Sequence, residues 1–293
     1  MSANEQQFEA WNGGESAHYV EHADRYDRQL EPFTSALLDR AELEPHHVVL
    51  DIGCGCGATT HAAAGRAGQV VGLDLSEPLV EIAQSRARAA SIENVQFVIA
   101  DAQTHRIARG GFDRIISQFG VMFFDDPELA FANLRQALAP GGTMTFVCWQ
   151  GLEANEWLMV LGRVVSRYVA LPEFGGRAGG PGMFSLRDPD EISMLLGSAG
   201  FVQVECESLT PSILLGGGGS PDESIDFLLG MGMARGLVDL AEPNARDAVI
   251  QGVRAELDER YVPSSGIRLG TGAWLVSARV QPSDAPAPIR RAT

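Results

Sequence analysis

The sequence predicts an α/β protein whose core is a mostly parallel sheet with helices on its faces. Three observations carry that prediction. Short apolar runs alternate with longer helical segments between Val48 and Trp149. The first run ends in a glycine-rich turn, "DIGCGCGATT". The second and third runs close on acids, Asp74 and Asp101.

The elements follow in order. "SAHYVEHADRYDRQLEPFTSALLDRAEL" places Tyr19, Val20, Ala23, Tyr26, Leu30, Phe33, Leu37 and Leu38 at approximately helical spacing, with Pro32 expected to break or restart the helix. "VVLDI" reads as the first strand and "ATTHAAAGRA" as a helix; "QVVGLDL" is the second strand, and "EPLVEIAQSRARAAS" is a helix with Pro78 in its first turn. "VQFVIA" and "FDRIISQF" are the third and fourth strands, "PELAFANLRQAL" is a helix and "GTMTFVCW" is the fifth strand. Such βαβ alternation implies a parallel sheet.

The pattern changes after Trp149. Residues 151–187 are rich in glycine and aromatics and hold one helical piece, "EWLMVLGRVVSRYVA". "DPDEISMLLGSAG" has a helix's acidic start and glycine stop, and "FVQVECESL" reads as a strand. Residues 211–270 are expected to hold two helices, 221–235 and 242–260, before a last strand, "GAWLVSARV". The expected organisation is N-terminal lid helices at 1–44, a core at 45–150, a cap insertion at 151–187, core again at 188–210, a helical cap insertion at 211–270, a final core strand at 271–281 and a disordered tail at 282–293.

Composition excludes several partners. The 293 residues carry a formal net charge of −16, which repels a nucleic-acid backbone or an anionic membrane. No stretch is apolar enough for a transmembrane helix, and "MSANEQQFEAWNGG" lacks a leader pattern, so a cytoplasmic location is expected. Cys54, Cys56, Cys148 and Cys206 lack zinc-ligand spacing and read as reduced, small apolar residues. Oligomeric state is not legible, a homodimer being one option.

Taken alone, the glycine turn is ambiguous. Gly53, Gly55 and Ala58 satisfy the dinucleotide spacing, and no Lys-Ser/Thr pair follows to make a P-loop. Asp51, two residues before the first glycine, would face dinucleotide phosphates unfavourably but suits an ammonium or sulfonium. Asp74 can accept from ribose hydroxyls in either case. Asp101 can accept from an adenine amino group.

Taken together, "VLDIGCGCG", "VVGLDLSEPLVEIA", "FVIADAQ", "FDRIISQFGVMFF" and "LRQALAPGGTMTFVCW" resemble, in order and spacing, a class I S-adenosylmethionine (SAM)-dependent methyltransferase. "WNGGESAHYVEHADRYDRQLEPF" and "WLVSARV" resemble the small-molecule branch of the ubiquinone/menaquinone-biosynthesis type, common in actinobacteria. The resemblance implies a Rossmann-like seven-stranded sheet ordered 3-2-1-4-5-7-6 with strand 7 antiparallel. SAM is the implied cofactor and a small-molecule methyl acceptor the implied partner. Carried over by position, Gly53 and Gly55 approach the methionine part and Asp51 its ammonium. Asp74 binds the ribose, with Leu75 beside the adenine. Asp101 and Ala102 flank the adenine, and Gln118 and Phe119 line the path to the methyl group. Tyr19 and Tyr26 close over the cofactor, and Cys54 and Thr59 complete the set.

Candidates for the acceptor pocket are Met122, Phe123, Trp149, Tyr168 and Phe184, although aromatics at these spacings are core about as often. His18, His22 and Glu173 are the candidate bases, weighed against ordinary surface or cap roles. Asp125-Asp126 resembles half of a metal site, but "CWQGLE" stands where its partner acids would be, so no metal is expected. The reading is SAM-dependent methyl transfer to a small, largely apolar metabolite, O- or C-methylation favoured. The alternatives are a non-methylating enzyme or SAM-binding protein on the same fold, and a nicotinamide-dependent oxidoreductase.

Overall fold

The structure is a computed structural model that describes residues 4–171 and 181–282. Three helices open the chain: α1 (Glu5–Trp11), α2 (Gly14–Glu21) and α3 (Ala23–Arg40). The expected break at Pro32 does not occur, and α3 runs straight through it. An internal proline costs about 3 kcal/mol. Tyr26, Phe33, Leu37 and Leu38 are all buried on one face of this helix. Each large apolar side chain contributes about 1.5–3 kcal/mol on burial, which outweighs the lost hydrogen bond.

The core alternates as read: β1 (Val48–Ile52), α4 (Ala58–Ala64), β2 (Gln69–Asp74), α5 (Glu77–Ala89), β3 (Val95–Ile99), β4 (Phe112–Gln118), α6 (Pro127–Ala137) and β5 (Leu138–Trp149). Then come α7 (Glu156–Val165), α8 (Pro189–Ser198) and β6 (Val202–Leu209). Four helix starts among the described residues share one device. Ser76, Asp126, Asp188 and Ser220 each accept from a backbone N–H of the following turn, and each is followed by a proline within two residues.

Residues 211–270 depart from expectation. β7 (Ser212–Leu214) precedes three helices rather than two: α9 (Pro221–Gly230), α10 (Gly232–Asp239) and α11 (Arg246–Asp258). The split falls at Met231, whose extended backbone (ψ 137°) stands between two glycines. β8 (Tyr261–Val262) and β9 (Gly266–Gly270) join β7 in a small antiparallel sheet ordered β7-β9-β8. Strands this short show no alternation to read. α7 packs against α10 and α11, and α9 packs against α11.

The last element is β10 (Ala273–Arg279). The main sheet is ordered β3-β2-β1-β4-β5-β10-β6. β1 to β5 pair in parallel, while β10 is antiparallel to both β5 and β6. With β10 as the seventh sheet strand, this is the expected topology. Its central strands are sealed on both faces, with Leu50, Ile52, Ile115, Ile116 and Phe146 all buried. Among the described residues no helix is long and apolar enough to cross a membrane. Most of the tail expected to be disordered, residues 283–293, lies outside the described residues.

Candidate functional site

A cavity opens where the parallel strands end. Its wall takes Gly53 and Gly55 from the turn after β1, Asp74 and Leu75 from the end of β2, and Ala100, Asp101 and Ala102 after β3. Gln118, Phe119 and Gly120 follow β4, and Trp149 closes β5. Helices α2 and α3 add Tyr19, Tyr26, Gln29 and Leu30. Switch points of this kind are where α/β sheets bind ligands.

The turn after β1 requires glycine. Gly53, Gly55 and Gly57 have φ of 68°, 52° and 87°, a region side chains disfavour. A Cβ on Gly53 would meet the Gly120 Cα at 2.8 Å, so two loops touch backbone to backbone. A Cβ on Gly55 would meet nothing within 4 Å, which leaves that backbone open to the cavity.

Asp74 is oriented by the same turn. Its Oδ2 accepts from the Gly55 N–H and its Oδ1 from the Ser76 N–H, both at 2.8 Å. Burial pushes its carboxyl above the usual range, and these backbone donors hold it back. Asp101 is a knot. Its Oδ1 accepts from the Gln103 N–H and from Asn4 Nδ2, both at 2.9 Å, and its Oδ2 from the Thr104 hydroxyl at 3.2 Å. Asn4 Oδ1 in turn accepts from the Asp125 N–H at 2.8 Å. At the far end of α1, Asn12 donates to the Leu75 carbonyl at 3.2 Å and accepts from the Glu77 N–H at 3.0 Å. The Ser76 hydroxyl donates to the Trp11 carbonyl at 2.6 Å. α1 is therefore strapped at both ends to the loops after β2 and β3.

Aromatic side chains build the other end. Tyr19 and Tyr26 stack at 3.8 Å between centroids and 6° between planes. Phe119, with a left-handed backbone (φ 60°), stacks on Trp149 at 4.0 Å and 13°. Met122 and Phe123 line the same cavity.

Several expected positions lie elsewhere. Asp51 is buried and turned toward α4, where its Oδ2 accepts from the Thr60 hydroxyl at 2.6 Å. It does not line the cavity, its Oδ1 has no partner among the described residues, and burial pushes its carboxyl up to about 7. Cys54 faces inward against Gly72, whose Cβ would come within 3.0 Å of its sulfur, and burial keeps the thiol protonated. Thr59 is buried in α4. Tyr168 is exposed and Phe184 is packed in the core, so neither reaches the wall; Met183 does instead.

The candidate bases fare no better. His18 stands behind Tyr26, its Nδ1 2.8 Å from the tyrosine Oη and its Nε2 buried without a partner among the described residues. Burial and the neighbouring His22 lower its pKa to about 4, so it is neutral at pH 7. His22 packs on His18 and Phe227, outside the cavity wall. Glu173 lies outside the described residues. Asp126 caps α6. A group of potential metal ligands, Glu44, His46 and His47, precedes β1, at the opposite end of the strands.

Trp11, Gln29, Leu30, Trp157, Met183 and Met231 line the cavity and were not singled out by the sequence. Gln29 and Leu30 sit three and four residues after Tyr26, a spacing that puts them on its face of α3. For Trp157 and Met231 no sequence signal existed, because tertiary packing alone brings α7 and the α9–α10 junction to the site.

The topology and this cavity define the class I SAM-dependent methyltransferase fold. Residues 49–142 match the family described as a methyltransferase domain. Aklanonic acid methyltransferase DauC of Streptomyces sp. (strain C5) is 32% identical over 39% of this chain and 54% of its own length. Phosphoethanolamine N-methyltransferase 2 of Caenorhabditis elegans is 28% identical over 58% of this chain and 36% of its own. The chain thus spans about half, or less, of the curated relatives it matches. Among solved structures, the YcgJ protein of Bacillus subtilis superposes with a TM-score of 0.57 at 18% identity, over 86% of this chain and 99% of its own.

The residues present fit SAM, the cofactor the resemblance implies. Gly55 offers open backbone, Asp74 keeps carboxylate lone pairs beyond its two backbone bonds, and Leu75, Leu79 and Ala102 offer an apolar slot beside Asp101.

Proposed function

We propose that this chain transfers the methyl group of SAM to a small, largely apolar acceptor, with O- or C-methylation favoured. One observation carries the reading: a single cavity joins the glycine turn, Asp74 and Asp101 to a wall of Phe119, Trp149, Trp157, Met122, Met183 and Met231. Bound SAM supplies an activated methyl on sulfur. Asp74 accepts from the ribose hydroxyls, Leu75 and Ala102 flank the adenine, and the open backbone at Gly55 admits the methionine part. Tyr19 and Tyr26 cover the junction between the two ends. Phe119 and Trp149 exclude water and hold a flat acceptor in line with the methyl carbon. The relative that acts on aklanonic acid supports a small-molecule acceptor, as does the net charge of −16.

Incubation with SAM and a panel of small phenols, enols and carboxylic acids should release S-adenosylhomocysteine with at least one of them. Binding of NAD(H) with no response to SAM would sink the reading. SAM binding with conversion of an acceptor but no S-adenosylhomocysteine would favour a non-methylating enzyme on the same fold.

A further inference from the structure

The acceptor end of the cavity offers hydrogen-bond donors where it is polar. Gln29 is 4% exposed, and its Oε1 accepts from the Gly216 N–H at 2.7 Å. A backbone N–H can only donate, so this bond fixes which way the amide faces. Its Nε2 is left without a protein acceptor among the described residues, in a side chain that lines the cavity. Gln118 lines the cavity too, its Oε1 2.9 Å from the Thr34 hydroxyl, which can donate to it. Trp157 is 3% exposed and lines the same cavity, and its buried indole N–H has no acceptor among the described residues. Buried polar groups are nearly always paired, so an orphan donor in a cavity wall points to a ligand atom that accepts.

What the wall lacks is as informative. No Lys, Arg or His lines the cavity among the described residues. The acids that do, Asp74 and Asp101, stand at the cofactor end and are engaged by backbone and side-chain donors. The Tyr26 hydroxyl is 2.8 Å from His18 Nδ1. Among the described residues this wall has no carboxylate to pair with a protonated amine at the acceptor end. Nor do they supply a free base to strip a proton from a weakly acidic hydroxyl or a carbon.

Resting on the methyl-transfer reading, we infer that the methyl acceptor is an oxygen already ionised in solution, a carboxylate or an acidic enol or phenol on a flat apolar body. Gln29, Gln118 and Trp157 hold it by N–H donation. Donors to an oxyanion are among the stronger hydrogen bonds available to a neutral wall. The stacked Phe119–Trp149 pair, with Trp157 6.2 Å from Trp149, offers flat faces for the body. In the transfer the oxygen forms the new bond to the methyl carbon as the carbon–sulfur bond breaks. The electron pair of that bond stays on sulfur, and no proton has to leave.

The test uses the full chain loaded with sinefungin, a cationic and non-transferable stand-in for SAM. Three flat probes are titrated by calorimetry: an anthraquinone carboxylate, a hydroxynaphthoquinone and a cationic naphthylethylamine. Both oxyanion probes should bind at least about tenfold more tightly than the amine. Gln29→Glu keeps an oxygen for Gly216 but replaces the donor with an acceptor. It should weaken the oxyanion probes about tenfold or more near pH 8. The loss should shrink toward about pH 6, because a buried carboxyl that takes up a proton regains a donor. Trp157→Phe should weaken them about fivefold, with sinefungin affinity within about twofold of the parent in both variants.

Equal binding of amine and oxyanions, or unaltered oxyanion affinity in both variants, overturns the inference and leaves methyl transfer standing. Failure of sinefungin itself to bind overturns the cofactor reading and the inference with it. The probe comparison on the unaltered chain decides the matter even if a variant does not fold.

Discussion

The carboxylate of Asp74 is fixed by two backbone N–H groups before any ligand arrives, one from the turn after β1 and one from its own loop. On the proposed reading this preorganisation serves a bound ribose, so Asp74→Ala should cost on the order of 2–3 kcal/mol of SAM affinity. Calorimetry with S-adenosylhomocysteine checks this, and unchanged affinity would mean that the ribose partner is another residue. His18 makes a different prediction. Its pKa is lowered in the fold from 6.5 to about 4, so between those values the unfolded chain binds more protons. Its contribution is fully present above pH 6.5 and is lost as pH falls through about 4. His18→Gln removes that titration, and thermal melts of the variant should show a shallower fall across this window than the parent. Asp74, Asp101 and the glycines were legible because a strand's last residue and a left-handed turn leave little choice of direction. Asp51, Cys54 and Thr59 were misread for the converse reason. Which way a side chain turns at a strand end or on a short helix depends on its neighbours, here Thr60 and Gly72, and no periodicity records that.

At the scale of elements, α1 is a seven-residue helix that could not persist alone. It is held by Asn4 at one end and by Asn12 and the Trp11 carbonyl at the other. Removing the Asn4 amide loses bonds to Asp101 and Asp125 at the cavity's edge. Asn4→Ala should therefore speed release of S-adenosylhomocysteine by about threefold to tenfold, a loss of roughly one net hydrogen bond, with a small effect on unfolding temperature. Stopped-flow displacement measures the rate, and an unchanged value would mean that α1 does not gate the site. The main strands and α3 were legible because burial on one or both faces imposes a period. The α9–α10 split and the strands β7 to β9 were not, since a single extended residue between glycines and strands of two to five residues fall below any period.

At the scale of the molecule, the cavity is closed on one side by the sheet and on the other by segments distant in sequence: α2 and α3, α7, and the α9–α10 junction. A ligand that bridges them should stabilise the whole. S-adenosylhomocysteine at about a hundred times its Kd should add about 2.7 kcal/mol and raise the unfolding temperature by about 5–8 °C. Differential scanning fluorimetry reads this directly, and no shift would contradict the assignment of the site. The acceptor end was the least legible part of the sequence because it is assembled by these long-range contacts rather than by any one motif.

β10 has a consequence for how the chain is made. It pairs in full register with β5 on one side, Ala273 opposite Trp149 through Arg279 opposite Thr143, and with β6 on the other. During synthesis, therefore, β5 and β6 leave the ribosome long before the strand that must lie between them. More than sixty residues separate the end of β6 from the start of β10. Pairings over such sequence separations form slowly, and until they form, two strand edges stand open to other chains. The seam of the sheet is the last part to be sewn. Nascent chains stalled before Ala273 should be the aggregation-prone species, and release of the final strand should be the step that rescues them.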